Sequence, residues 1–291
     1  MDAFFSSLVS IAFHGLAYGM ILYAISVGLS ITMGLMGFVN LAHGVFAMAG
    51  GYVMYTLMGD LGMAWLPALA LACVAVAAGS IVLERLLYSR LYTAGELEQV
   101  LFTIGLIFVA VAVARIFYGN NPLAAPLPDL LKGQTELAGR SFPTYRVMVI
   151  LASAALIVVL WLGLERTRWG AMVRAAVDNR AMAQSVGIDT GKLFTLTFAL
   201  GSGLAALGGA LGADLMAMTP TYPFEQLVYF LIVVSLGGLG TLRGPFLGAL
   251  LIGIGDTACK YWVPEFGAFF IYAATMLVLL WRPQGLLGRA A

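Results

Sequence analysis

Residues 147–192 read VMVILASAALIVVLWLGL followed by ERTRWGAMVRAAVDNRAMAQSVGIDTGK. The first 18 residues hold no charged side chain, whereas the next 28 hold five Lys or Arg and three Asp or Glu. An uncharged run of this length, wound as a helix, covers a hydrocarbon layer roughly 30 Å thick. A helix also satisfies its own backbone, which lipid cannot do for it. The basic stretch that follows marks a return to water, on the membrane face that collects Lys and Arg.

Similar apolar windows lie on either side, at 4–33, 39–58, 63–83, 99–118, 193–217, 225–242, 244–258 and 266–281. Composition agrees: 62% of residues are hydrophobic and 10% charged, against about 25% charged in soluble domains. The expected fold is all-α, a polytopic transmembrane helical bundle of eight or nine spans forming one domain over 1–291. Window 4–33 is long enough to be tilted or broken. The pair at 225–258 is interrupted by Arg243-Gly244-Pro245 and reads either as two spans or as one broken, re-entrant element. The opening MDAFFSSLVSIAFHGLAYGM lacks a basic n-region and a small-residue cleavage pattern, so it reads as a retained first helix.

Placing 165–192 in the cytoplasm puts Arg85, Arg90, Arg166, Arg168, Arg174, Arg180, Lys192, Arg243, Arg282 and Arg289 inside. Arg115, Lys132, Arg140, Arg146 and Lys260 remain outside. This bias predicts an external N-terminus and a cytoplasmic C-terminus. The loop 119–146, rich in Pro and Asn, is expected to be an irregular external cap. A net charge of +1 gives no basic patch for nucleic acid. Cys73 and Cys259 read as half-buried small hydrophobes. No nucleotide-binding G-x-x-x-x-G-K-[ST] occurs, since Gly187–Leu193 has the wrong spacing.

Three segments carry functional suggestions. In 165–192, Gly170 and Gly187 bracket an expected helix of about 16 residues, on which Arg174 and Asp178 share a face. It reads either as a coupling helix that docks on a motor domain or as a basic loop enforcing topology. The second segment is GLMGFVNLAHGVFAMAGGY, 34–52. Its glycines, Asn40 and His43 interrupt an apolar window, and irregular backbone at membrane depth needs protein or a water-lined cavity around it. Asn40, His43 and Gly44 are therefore candidates to line a translocation path. The competing reading packs the glycines between helices and bonds His43 to a carbonyl.

The third segment is LGGLGTLRGPFLGA, 236–249, in which Gly240 and Gly244 are further path candidates and Pro245 argues for a helix start. At an offset of 200 the second and third segments align. Gly37, Gly44, Phe46 and Ala49 fall on Gly237, Gly244, Phe246 and Ala249, and His43 falls on Arg243. Paired Gly- or Pro-broken segments often point to a transport pathway. Arg115, Asp214, Glu225 and Asp256 sit near expected outer ends, either as interfacial anchors or as a rim for an external partner. No acidic residue is expected in mid-span, which argues against a proton- or sodium-coupled carrier.

Gly170, Arg174, Ala175, Ala183, Gly187 and Ile188 stand at the spacing G-x(3)-R-A-x(7)-A-x(3)-G-I. This region, the N-L-A-H-G stretch and the G-G-x-G-x-x-x-G-P run together resemble permeases of the branched-chain amino-acid ABC importers, most closely the LivH type. The resemblance covers nearly the whole chain. It implies alternating access driven by two separate ABC ATPase subunits, with Gly170, Arg174, Ala175, Asp178, Ala183, Gly187 and Ile188 in the coupling segment that contacts them. It further implies a second permease, a LivM-type partner in a heterodimer, an extracytoplasmic solute-binding protein, and residence in the bacterial inner membrane. The chain itself would bind no cofactor and no metal, ATP-Mg belonging to the motors.

Two other classes compete. A passive channel or facilitator for small neutral solutes would use Asn40 and the broken segments as a pore, leaving the coupling resemblance without a role. An intramembrane enzyme lacks H-E-x-x-H, G-x-S-G and any nucleophile–base pair. A path poor in fixed charge suits leucine, isoleucine or valine, and equally urea or short amides.

Overall fold

The computed structural model describes residues 2–137, 139–238 and 240–287. Arg289, counted above among the inner cations, and Leu239 of the third segment lie outside the described residues. Eleven α-helices are present among the described residues. They are α1 Asp2–Met36, α2 His43–Tyr55, α3 Trp65–Leu86, α4 Glu96–Tyr118, α5 Thr144–Arg166 and α6 Arg168–Asp178, then α7 Arg180–Ser185, α8 Thr190–Gly212, α9 Tyr222–Gly237, α10 Arg243–Trp262 and α11 Gly267–Trp281. Five of them, α1, α3, α4, α5 and α8, are long and apolar enough to cross a membrane. The chain is an all-α polytopic membrane bundle.

Helix α1 is the axis of the bundle. No Asp, Glu, Lys or Arg occurs between Asp2 and Asp60, so nothing forces the helix to stop short. Its 35 residues extend about 52 Å, enough to cross obliquely as the window 4–33 suggested. Ile21 to Leu29 are sealed from the surroundings, because α5, α8, α9 and α10 all pack on α1. By contrast α3, α4 and α5 show apolar outer faces, with Leu66, Val74, Phe108, Ile116, Leu151 and Val159 exposed. That inverted surface suits lipid as the solvent.

Between helices in lipid the hydrophobic drive is weak, and packing depends on small residues that admit close backbones. The α2–α8 crossing shows this. A Cβ on Gly209 would stand 2.0 Å from Ala47 O, and one on Gly50 would stand 2.3 Å from Ala206 O. The window 39–58 becomes α2 extended by a π-helical turn, Thr56–Asp60.

Three expectations need correction. The loop 119–146 is not wholly irregular: Gln134–Leu137 (β1) and Arg140–Pro143 (β2) pair as an antiparallel hairpin, and Leu123 bridges Met218. Arg140 Nη1 donates to Ser6 O (2.7 Å), tying the hairpin to α1. The helix expected between Gly170 and Gly187 is two helices. Asn179 turns extended (φ −156°, ψ 102°), and its Oδ1 accepts the Met182 N–H at 2.9 Å to cap α7. Asparagine favours such caps over a helix interior. Asp256, expected near water, is almost fully buried, because α10 runs on to Trp262 and Lys260 ion-pairs with it at 2.7 Å one turn away.

Replacing Gly209 with Leu should destabilise the bundle by about 1–3 kcal/mol or more, the cost of overpacking a tight contact. Gly79→Leu, at a position with nothing within 4 Å, should leave it unchanged. Thermal melting in detergent by fluorescence-detected chromatography compares the two.

Candidate transport site and coupling surface

The first break spans Gly37 to Ala42. Gly37 takes φ +60° and ends α1. The freed backbone then finds side chains: Val39 N–H donates to Gln99 Oε1 at 3.1 Å, and Tyr88 Oη–H donates to Asn40 Oδ1 at 3.2 Å. Asn40 is buried and its Nδ2 has no partner among the described residues. His43, also buried, faces the Ile25 carbonyl at 3.0 Å. A carbonyl only accepts, so Nε2 carries the hydrogen. Gly44 packs beneath Pro223, where a Cβ would meet Pro223 Cα at 3.2 Å.

The second break spans Gly238 to Leu242. Gly240 takes φ +74° and donates its N–H to Ser30 O at 3.1 Å, while Ser30 Oγ donates to Thr241 O at 3.2 Å. Gly244 lies directly on Gly237, where a Cβ would be 2.1 Å from Gly237 O. The carbonyls that α9 leaves open are capped from beyond α11. Leu286 N–H donates to Leu236 O at 2.6 Å and Leu287 N–H to Gly237 O at 3.3 Å.

The two breaks correspond. Helix α2 begins at His43 and α10 at Arg243, the pair matched by the 200-residue offset. Each break also hangs on the C-terminal half of α1, one on Ile25 and the other on Ser30. Of the path candidates, Asn40, His43 and Gly44 are thus brought together inside the chain and Gly244 is sealed by Gly237. Gly240 borders an open space.

That space is a cavity of about 1060 Å³ between α6, the ends of α1, α5 and α11, and the second break. Its wall includes Glu165, Val173, Arg174, Val177, Asp178 and Arg243. Val177 Cγ1 would lie 3.6 Å from a Cβ on Gly240, and Gly34 Cα only 3.4 Å from it. The amphipathic helix α6 therefore approaches the second break where that break meets α1.

The coupling candidates divide by face. Thr167 Oγ1 caps α6 by accepting the Gly170 N–H at 3.1 Å. Gly170 is pressed on Leu164, whose carbonyl would be 2.2 Å from a Cβ. Ala183 is buried, and Ile188 N–H donates to Ala183 O at 3.0 Å around Gly187, whose φ is +89°. Arg174, Ala175 and Asp178 face outward. So do Met182 and Val186, 64% and 71% exposed. Asp189 caps α8; the Lys192 N–H and the Lys192 ammonium beside it hold its carboxyl below the usual range.

Sequence reasoning missed Glu84. It is buried near the end of α3, with Thr195 Oγ1 donating to Oε2 at 2.9 Å and Tyr92 Oη–H donating to Oε1. The apolar window 63–83 stopped one residue short of it. Its signal was a lone acid inside a continuing helical pattern. Among the described residues no group of three His, Cys, Asp or Glu could hold a metal ion.

The comparisons with known proteins point one way. The family described as branched-chain amino acid transport system, permease component, matches residues 11–279. The permease protein LivH of a high-affinity branched-chain amino acid transport system, from Escherichia coli (strain K12), is 27% identical over 95% of this chain and 94% of its own length. BraD of Pseudomonas aeruginosa, described in the same words, shows the same identity and coverage. LivM of Escherichia coli (strain K12) is 24% identical over 92% of this chain and 68% of its own. No solved structure matches. Matched from the first helix to the last, the chain belongs to the permease components of branched-chain amino acid transport systems.

Proposed function

We propose that this permease works in an ATP-driven importer of branched-chain amino acids, with hydrolysis in separate ATPase subunits that dock on α6 and α7. The observation that supports it is the surface of those helices. Val173 and Ala176 of α6 face the bundle, while Met172, Met182 and Val186 stand exposed among Arg168, Arg174 and Arg180. Apolar side chains held in water beside cations suit a protein partner. On the other side, Val177 lies beside Gly240, which itself packs on Gly34 of α1, so a push on α6 is placed to reach the second break.

In this reading α6 and α7 are cytoplasmic, the N-terminus is outside and the β1–β2 hairpin is external. A second permease of the LivM type completes the path, and an extracytoplasmic binding protein delivers the solute. The chain binds no cofactor of its own. Substrate preference for leucine, isoleucine or valine is supported by the names of the relatives. Buried within one chain, His43 contributes to the path by holding the first break against α1, and Asn40 by holding it against Tyr88.

Arg174→Glu, alone or with Met182→Asp, should abolish co-purification of the ATPase subunits while leaving membrane insertion intact. Retention of the motors at wild-type ratio would count against the docking assignment. Asn40→Ala removes the acceptor of the Tyr88 hydroxyl and should lower uptake about tenfold, the equivalent of one buried hydrogen bond of ~1.4 kcal/mol. Radiolabelled leucine uptake in proteoliposomes measures it. Uptake that persists without ATP or motors would instead mark a facilitator.

A further inference from the structure

We infer that Glu84 is a positioning residue for transport, the lock that makes the first break and the base of the docking segment one body. The inference rests on the import reading above and extends it to the first break. Glu84 is 2% exposed near the end of α3, and burying a carboxylate is costly unless donors meet it. Two donors do: the Tyr92 hydroxyl on Oε1, and the Thr195 hydroxyl on Oε2 at 2.9 Å. A carboxylate only accepts, so both hydroxyls are committed to it and their orientations are fixed. Tyr92 closes the elbow after α3, a 3-10 turn over Tyr88–Leu91, and Thr195 stands in the second turn of α8.

The lock's importance lies in what it joins. On one side Tyr92 meets the Phe194 ring edge-on, with centroids 5.7 Å apart, and the Arg180 guanidinium lies 4.5 Å from the centre of the same ring. Arg180 is the first residue of α7, so the docking segment is seated beside the locked pair. On the other side the elbow grips the first break. Tyr92 meets Phe38 edge-on at 6.0 Å, and Tyr88 donates to Asn40. Gln99 bridges the two: Nε2 donates to Leu91 O at 3.3 Å and Ala94 O at 3.1 Å, while Oε1 holds the Val39 N–H. Each link from Arg180 to Asn40 is a contact between named side chains, and Glu84 ties the two sides together. Packed interiors transmit strain and shift between discrete arrangements. A push on α7 therefore carries the start of α8, the elbow and the first break together, and leaves the second break, beside α6, to flex.

Two measurements test this. In nucleotide-free membrane vesicles, on a Cys73→Ser, Cys259→Ser background, Leu41→Cys reports on the first break, where Leu41 is half-buried. Glu84→Ala should speed its modification by a thiol reagent several-fold, and Glu84→Gln, which keeps the shape and an acceptor, should restore the slow rate. A rate unmoved by Glu84→Ala, or Glu84→Gln as fast as Glu84→Ala, overturns the lock. In vesicles holding the assembled complex, Glu84→Ala should raise the ATP hydrolysed per leucine taken up several-fold, with motors bound at wild-type ratio. An acid that merely stabilises the fold would lower hydrolysis and uptake in proportion, so an unchanged ratio overturns the positioning role. Should Glu84→Ala fail to assemble, Thr195→Val and Tyr92→Phe each remove one donor while keeping the packing. Both should raise the ratio, and a ratio unmoved by either overturns the inference. Leucine uptake that needs no ATP in the unaltered complex sinks the import reading instead, and the Leu41→Cys rates still decide whether Glu84 holds the break.

Discussion

The structure depends on the contact that both broken segments make with one stretch of α1. In a lipid solvent an interrupted helix cannot leave its freed N–H and C=O groups to water. Here the first break is held through His43 on Ile25 O and the second through Gly240 on Ser30 O. A long α1, uncharged beyond Asp2, supplies those acceptors at the centre of the bundle, and α8 and α10 close around it with small residues at the crossings. Remove the axis and neither break has a reason to persist.

A broken helix so held is a natural moving part, because its two halves pivot without dismantling a continuous hydrogen-bond ladder. The second break is the better placed of the two for taking up force. It borders the cavity and lies beside α6, whereas the first is enclosed by Gln99, Tyr88 and Pro223. The chain thus pairs two similar turns with dissimilar surroundings, one anchored and one accessible. Their matching start positions, His43 and Arg243, give the modest sequence repeat a structural counterpart.

Most of the fold was legible from hydropathy, because a span is declared by length and by absence of charge. Broken elements were legible too, through glycine and Pro245. What could not be read was the direction in which a lone polar residue points. Asp256 turns inward while Lys260, one helical turn on, stays exposed and reaches back to it, and Glu84 is buried by Tyr92 and Thr195, a partner 111 residues away. Asn179 looked like an ordinary helical position, yet its capping side chain split the coupling segment in two. Arg174 and Asp178 shared a face as the i,i+4 spacing required; that the face borders a cavity with Arg243 depends on tertiary packing alone.

The strap formed by Leu286 and Leu287 bears on how the protein is made. The carbonyls at the end of α9 receive these N–H donors only once α11 has been threaded into the bilayer. Until then the second turn has unmet acceptors in a medium that offers few substitutes. This corner is therefore completed only after α11 is in place, the last of the helices along the chain.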